Sequence, residues 1–355
     1  MILAILPGAF AAASPTIKKS KPLPSVGEFF RFADPTTEAT VVRLTNPAST
    51  SLLPAPTNRF ISVKDRFLLF SSDRDGGMMP YRLNLRNGAL TQIARTANLV
   101  PHSLCMAEGE RSVYLLDGGT LKEVDLANRR ERTLAEDVSA FSSGTSPAEF
   151  VVVRKGRLEQ LNGNSGPPLA EDVSPQCLVR PGGKGCLFER TAGQEREFWY
   201  ASFPSAPSAP SEANEQPRLL AKGRVSDPFW SMDGQSLLFL RDVAAPNIVL
   251  SEIHEISPET RVEQRVARTS QFAAFAPNLN GSVFVGASRS KAQPTVMLLL
   301  RAVQREFTLC EHRASHPASV SPVFSPDSRR VYFQSDHQGK SALYSVNVEL
   351  LVDPT

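Results

Sequence analysis

The stretch Ser321–Val348 shows most clearly a hydrophobic pattern that recurs through the chain. It reads SPVFSPDSRRVYFQSDHQGKSALYSVNV, in which short apolar runs are separated by two polar turns. In the middle run Val331 and Phe333 alternate with polar residues, as in a half-buried strand. The turns SPDS and DHQGK are rich in the residues that favour chain reversal. The stretch therefore predicts three antiparallel strands.

Similar strand–turn–strand units recur upstream at a regular spacing. We count seven units about 35–50 residues apart, which is the period of four-stranded propeller blades. The pattern therefore predicts an all-β fold, a seven-bladed β-propeller. The other units lie at Ile61–Leu85 and Asp227–Leu240, and weaker copies start near Ser103, Phe141, Gln176 and Phe272.

Ring closure is predicted from the ends of the units. Each of the first six units ends in a further short extended segment, whereas the seventh does not. The N-terminal piece Thr37–Thr45, TEATVVRLT, has the same character. We predict that it is the outer strand of the last blade, paired around Ser341–Val348, so that the ring is closed. The six segments are Gly88–Ala94, Arg129–Ala135, Gly166–Glu171, Gln216–Ala221, Arg261–Ala267 and Arg305–Glu311.

Composition agrees with one globular unit. The 355 residues are 41% hydrophobic and 21% charged, and 20 Phe, 28 Pro and 21 Gly favour short strands and turns. We assign residues 29–355 to a single propeller domain and residues 1–28 to a signal-like segment and linker. Pro204–Pro217 has nothing apolar to bury and predicts a mobile surface loop between the third and fourth strands of unit four.

The N-terminal run Met1–Ser14, MILAILPGAFAAAS, is too short to span a membrane and contains Pro7. It resembles the apolar region of a secretory signal that lacks its basic start. This favours a periplasmic or secreted protein with no membrane span. The alternative is a disordered tail on a cytoplasmic protein.

Charge and motifs exclude several classes of function. The net charge is +3 and is interspersed, which argues against a nucleic-acid partner. An anionic sugar needs only a local cluster of bases. The four cysteines have no metal-site spacing, and Cys105, Cys186 and Cys310 lie in apolar strands, where buried thiols are expected. The alternative is a disulfide between Cys177 and Cys186 on adjacent strands, but the register around Gly182–Gly183 does not place them opposite each other. No serine-hydrolase elbow, P-loop or zinc helix is present.

Polar residues occur near the entry to several inner strands. In a propeller these entries converge on the mouth of the central channel, so residues distant in sequence meet there. Imidazole and carboxylate groups gathered in such a funnel can bind a metal or titrate a substrate. Simple solvation of the loops is the competing interpretation. The candidates are Asn58, Arg59, His102, Gln176, Asp227, Gln271, His312 and His316.

The repeat SPxFSPDxxxVYFxSDxxGxxxLYxV resembles the blades of TolB-like propellers, which are similar to WD40 rings. FRFADPTTEATVVRLT, DPFWSMDG, LCEH and the C-terminal repeat, in that order, resemble the oligogalacturonate lyase family over about Phe30–Val348. The resemblance implies a propeller that cleaves pectin-derived uronates by β-elimination with a divalent metal, manganese. Such an enzyme is a carbon–oxygen lyase.

The resemblance also implies where the chemistry lies. The metal ligands come from a His before the Phe229–Trp230 pair and from a Gln-x-x-His-x-His run before unit seven, and the base His falls near Gln176. Here Asp227 takes the first His position and His316 the Gln position. The two other His positions are serines, Ser319 and Ser321.

Asp227 and His316 remain metal candidates, but serines are poor ligands. Two functions stay open. One is binding or β-elimination of an acidic oligosaccharide. The other is a non-catalytic propeller that binds a protein partner or another ligand. We expect little or no lyase activity.

Overall fold

The computed structural model describes residues 27–352 except 147–148, 162–166, 194, 205–215, 246–247 and 270. Within these residues the chain forms seven β-sheets and, besides them, only short 3-10 turns. No helix in the described part is long and apolar enough to cross a membrane. Almost all of the signal-like segment, and most of the loop expected at Pro204–Pro217, lie outside the described residues.

The first half of the chain supplies two N-terminal strands and three blades. β1 (Phe30–Ala33) and β2 (Thr40–Arg43) precede the first blade, β3 (Ser51–Leu52), β4 (Phe67–Ser72), β5 (Met79–Asn84) and β6 (Leu90–Gln92). The second blade is β7 (Cys105–Met106), β8 (Ser112–Asp117), β9 (Thr120–Asp125) and β10 (Glu131–Ala135). The third is β11 (Val138–Ser143), β12 (Phe150–Arg154) and β13 (Arg157–Gln160), extended by a bridge between Leu158 and Ala170.

The second half supplies four blades. The fourth is β14 (Cys177–Val179), β15 (Gly185–Ala192), β16 (Glu195–Ser202) and β17 (Arg218–Gly223), and the fifth is β18 (Val225–Trp230), β19 (Leu237–Ala245), β20 (Ile248–Ile256) and β21 (Glu263–Thr269). The sixth is β22 (Phe272–Pro277), β23 (Val283–Ser288), β24 (Thr295–Leu300) and β25 (Arg305–Glu311). The last contains β26 (Val323–Phe324), β27 (Arg330–Ser335) and β28 (Ala342–Asn347). The predicted seven-bladed propeller is confirmed.

The core lies between neighbouring blades. The second strand of a blade is covered on both faces, so β4 (FLLFSS) and β23 (VFVGAS) are almost entirely buried. Aromatic rings pack from one blade to the next, as between Phe229 and Phe275, whose ring centroids are 5.4 Å apart. Apolar burial between sheets is therefore the main force that holds the ring.

Closure of the ring follows the prediction, with one addition. β2 pairs antiparallel with β28, Val41 opposite Val346 and Arg43 opposite Tyr344. The hydroxyl of Thr45 accepts a hydrogen bond from the Leu343 amide at 3.0 Å. β2 is the fourth strand of the last blade, but it is not the outermost, because β1 pairs with it on the outside.

The turn between β1 and β2 also fastens the last blade to the sixth. The buried carboxylate of Asp34 accepts a hydrogen bond from the Glu311 amide at 2.8 Å. The hydroxyl of Thr37 donates to the Leu309 carbonyl at 2.7 Å. We call this turn, residues 34–37, the clasp. It joins elements that are far apart in the sequence.

The inner strand of the first blade is interrupted. Leu52 pairs with Ser71, yet the Leu69 amide donates to the carbonyl of Phe60, so the residues between Leu52 and Phe60 leave the strand. Two of them, Pro54 and Pro56, have no N–H for a ladder. The segment hydrogen-bonds instead to the second blade, and we call Leu53–Arg59 the excursion.

All four cysteines are free thiols, and three of them are buried. Cys177 lies opposite Phe188, and Cys186 lies opposite Val179, so their thiols are not a facing pair. This agrees with the register predicted around Gly182–Gly183.

Candidate functional site

The mouth is the end of the central channel at which the inner strands begin. The hairpins between the second and third strands of each blade also point to this end. Gln176, Asp227, Gln271, His312 and His316 all lie on entries to it, in or between the fourth to seventh blades.

One guanidinium organises the mouth between the fourth and fifth blades. Arg196 on β16 binds both carboxylate oxygens of Glu189 on β15, at 2.8 and 2.6 Å. Its Nη2 donates to the Oε1 of Gln176 at 2.9 Å, and its Nη1 donates to the Val225 carbonyl at 3.3 Å. Gln176, at the position that the sequence resemblance assigns to the base, therefore accepts a hydrogen bond from a permanent cation. A glutamine side chain is no proton acceptor at ordinary pH.

Asp227 lies in the same region and has an unusual environment. Its backbone φ of 50° is left-handed, at an irregularity in the pairing of β18 with β19. Burial raises the pKa of its carboxyl to about 6, although a hydrogen bond from the Ser226 hydroxyl at 2.9 Å and the charge of Arg196 act in the opposite direction. The positive charge that lowers the pKa of Asp227 is therefore the guanidinium of Arg196.

A second ion pair links the fifth and sixth blades. Arg289 Nη2 lies 3.0 Å from Asp242 Oδ1 and 2.7 Å from the Phe272 carbonyl. The hydroxyl of Ser251 donates to the same carboxylate at 2.8 Å. Neither Arg196 nor Arg289 was among the sequence candidates. The signal for Arg196 was the charge clustered around the hairpin turn in FERTAGQERE, and of the other ion pair LFLRD contains only Asp242, the partner of Arg289.

Gln271 and His312 both contact Ser288 at the end of β23 in the sixth blade. The Oε1 of Gln271 accepts from the Ser288 hydroxyl at 2.6 Å, and the His312 Nε2 is 3.1 Å from the Ser288 carbonyl. His312 Nδ1 accepts from the Ala314 amide at 3.0 Å. Burial lowers the pKa of His312, which is fully inaccessible to solvent. Both of its nitrogens are used, so it is a structural imidazole.

His316, Ser319 and Ser321 lie where the seventh blade begins. His316 and Ser319 are exposed. The Ser319 hydroxyl donates to the His316 carbonyl at 2.7 Å, which closes a 3-10 turn at Pro317–Val320. Gln334 Nε2 donates to the Ser319 carbonyl at 2.7 Å. This segment is held by local turn chemistry.

These residues do not fit a manganese ion. Of the four positions that the resemblance assigns to metal ligands, only Asp227 and His316 carry side chains suited to the role. In the described part of the chain no three His, Cys, Asp or Glu side chains are grouped closely enough to hold a metal. We therefore derive no chemical step through a metal.

Arg59 and His102 are placed differently from the other candidates. The excursion carries Arg59 to the far end of the channel, where its guanidinium pairs with Glu108 and donates to the Gly144 carbonyl at 3.2 Å. His102 Nδ1 is 2.9 Å from the Leu53 carbonyl, and Asn58 donates to the His102 carbonyl at 3.2 Å. These three residues hold the excursion against the second blade.

Solved structures with this fold include two oligogalacturonate lyases. One, in complex with manganese, is 18% identical, with a TM-score of 0.80 over 92% of this chain and 98% of that one. The other, from Vibrio parahaemolyticus, is 18% identical, with a TM-score of 0.78 over 93% and 99%. The β-propeller domain of Cps50 (Swd1) from Myceliophteria thermophila is 12% identical, with a TM-score of 0.55 over 84% and 99%.

The chain thus has the seven-bladed β-propeller fold of the oligogalacturonate lyases, over nearly the whole length of both. At 18% identity this similarity defines the fold. No protein-family model and no curated protein sequence matches the chain.

Proposed function

We propose that this chain is a binding propeller, built on the oligogalacturonate lyase fold, that does not carry out metal-dependent β-elimination. Elimination from a uronate needs a base for the proton beside the carboxylate and a cation for the charge that develops. Gln176 cannot act as that base, and Ser319 and Ser321 cannot replace imidazole ligands.

The observation that carries the proposal is the position of Arg196. Its guanidinium is hydrogen-bonded to Glu189 and Gln176, and its charge lowers the pKa of Asp227 against the effect of burial. The charge of Arg196 is thus satisfied within the protein, which favours a rigid binding surface over a reactive site.

The direct test is to incubate the protein with trigalacturonate and manganese. Elimination creates an unsaturated product that absorbs in the ultraviolet. We expect no absorbance increase above a protein-free control, because loss of a general base costs at least ~100-fold. Manganese-dependent turnover would overturn the proposal. Calorimetry with trigalacturonate in the absence of metal tests binding separately.

A further inference from the structure

A groove of about 490 Å³ lies between the first and last blades, on the side of the ring away from the mouth. β1, the turn before β4, the turn after β5 and the start of β27 bring its walls together. We call it the seam groove. Its charged lining residues are Arg31, Lys64, Asp65, Arg66, Arg86 and Arg330.

The seam groove concentrates positive charge. It is lined by five basic residues and one acid, whereas the whole chain has a net charge of only +3. The rest of the protein is therefore close to neutral. A surface on which positive and negative side chains alternate does not produce such a cluster. The sequence does not reveal the cluster, because its basic residues come from four separate segments.

Most of this charge is not neutralised by neighbours. Arg31, Lys64 and Arg86 have no acidic partner among the residues that the structure describes. Arg66 Nη2 is 3.5 Å from Glu110, and Arg330 Nε is 3.3 Å from Asp65. At the mouth, by contrast, Arg196 and Arg289 are both paired with carboxylates.

The single acid is drawn back from solvent. Asp65 has a left-handed φ of 49°, and its Oδ1 accepts the Tyr332 hydroxyl at 2.7 Å. Its side chain is 14% exposed, whereas that of Arg66 is 67% exposed. Burial raises the pKa of Asp65, although the hydrogen bond from Tyr332 and the charge of Arg330 act in the opposite direction.

We propose that the seam groove binds a small polyanion, a molecule with two or more carboxylate or phosphate groups. The volume exceeds that needed for one oxyanion and lies in the range of small-molecule sites. Arginine forks match the planar geometry of such groups. The proposal extends the binding role proposed above, but it concerns a different face, so each can fail without the other.

The test is calorimetric titration with two probes, trigalacturonate and inorganic tripolyphosphate, which distinguish carboxylate from phosphate recognition. We expect at least one probe to bind, more weakly at higher salt. The triple variant Arg31→Gln, Lys64→Gln, Arg86→Gln should weaken binding roughly tenfold, since exposed charge pairs contribute modestly. Asp65→Asn should tighten it about threefold, a gain that a damaged fold cannot imitate.

The matched control removes three exposed bases elsewhere, at Arg130, Arg261 and Arg305. It changes the net charge equally and should leave affinity within about twofold, since surface charges far from the ligand are screened. If the wild-type protein binds neither trigalacturonate nor tripolyphosphate, the proposal is overturned. Equal losses in the two triple variants, or no gain in Asp65→Asn, would also overturn it.

Discussion

The clasp makes a quantitative prediction about the variant Asp34→Ala. The Oδ1 of Asp34 accepts hydrogen bonds from the amides of Thr36 and Thr37, both at 3.0 Å, and its Oδ2 accepts the Glu311 amide at 2.8 Å. The carboxylate is 2% exposed. Alanine removes both acceptor oxygens and with them these three hydrogen bonds, including the one to the sixth blade.

The expected cost comes from the hydrogen bonds. A bond to an ionised group contributes about 1.5–3 kcal/mol when buried, but water can reach Thr36 and Thr37 in the variant. We therefore expect a loss of about 2–3 kcal/mol. For a chain of this size the entropy of unfolding is roughly 0.7 kcal/mol per degree, so Tm should fall by about 3–4 °C.

The pH dependence has a definite sign. Burial acts to raise the pKa of Asp34, but hydrogen bonds from Glu311, Thr37 and Thr36 outweigh it, and the pKa lies below its ordinary value. The carboxylate therefore stabilises the fold above its unfolded pKa of about 3.9, and this stability is lost as the pH falls through the folded pKa.

Thermal unfolding of wild type and Asp34→Ala from neutral pH downward is the assay. The difference in Tm should be full at neutral pH and shrink in acid. Asp125→Ala is the matched control, because Asp125 accepts two amides within its own turn, at 2.8 and 2.9 Å. Its Tm should change much less. An equal change in both variants, or a pH-independent difference for Asp34→Ala, would refute the reasoning.

Two further predictions concern the ring and the mouth. Deleting residues 1–45 removes β1 and β2 with buried Val41 and Leu44, and should lower Tm by about 10 °C or more, well beyond the effect of Asp34→Ala. A variant that begins at Gly27 is the control. An unchanged Tm after the longer deletion would contradict ring closure. Asp227→Asn should raise stability, because the pKa of about 6 means that folding opposes ionisation of this carboxyl. The gain in Tm should be greatest above pH ~6 and vanish near pH ~3. Thermal unfolding measured from about pH 3 to 8 checks this, and a gain that grows toward acid would refute the prediction.

The periodic features of the fold were predictable from the sequence. Alternating runs and polar turns located the blades, and the missing strand of the last unit identified β2 as its partner. β1 and the clasp were not predicted as part of ring closure. Asp34 and Glu311 are far apart in the sequence, and they come into contact only when the propeller ring is complete. Local pattern carries no information about such a contact.

The mouth was predicted only in outline. The positions of the strand entries identified Gln176 and Asp227, but not Arg196. Arg196 lies on β16, next to the hairpin turn after β15, and whether a residue there contacts the entry of its own blade depends on strand length and twist. Arg59 was expected with them, yet the excursion moves it to the other end of the channel. Pro54 and Pro56, which cannot donate to a ladder, were the available signal.

Manganese binding measured by calorimetry tests the central claim most directly. The comparison variant Asp227→His, His316→Gln, Ser319→His, Ser321→His restores the ligand set implied by the resemblance, and it should gain affinity for manganese. Wild type should show no binding up to about 1 mM, an affinity too weak for a resident cofactor. Micromolar binding by wild type that is lost in Asp227→Ala and in His316→Ala would contradict the account.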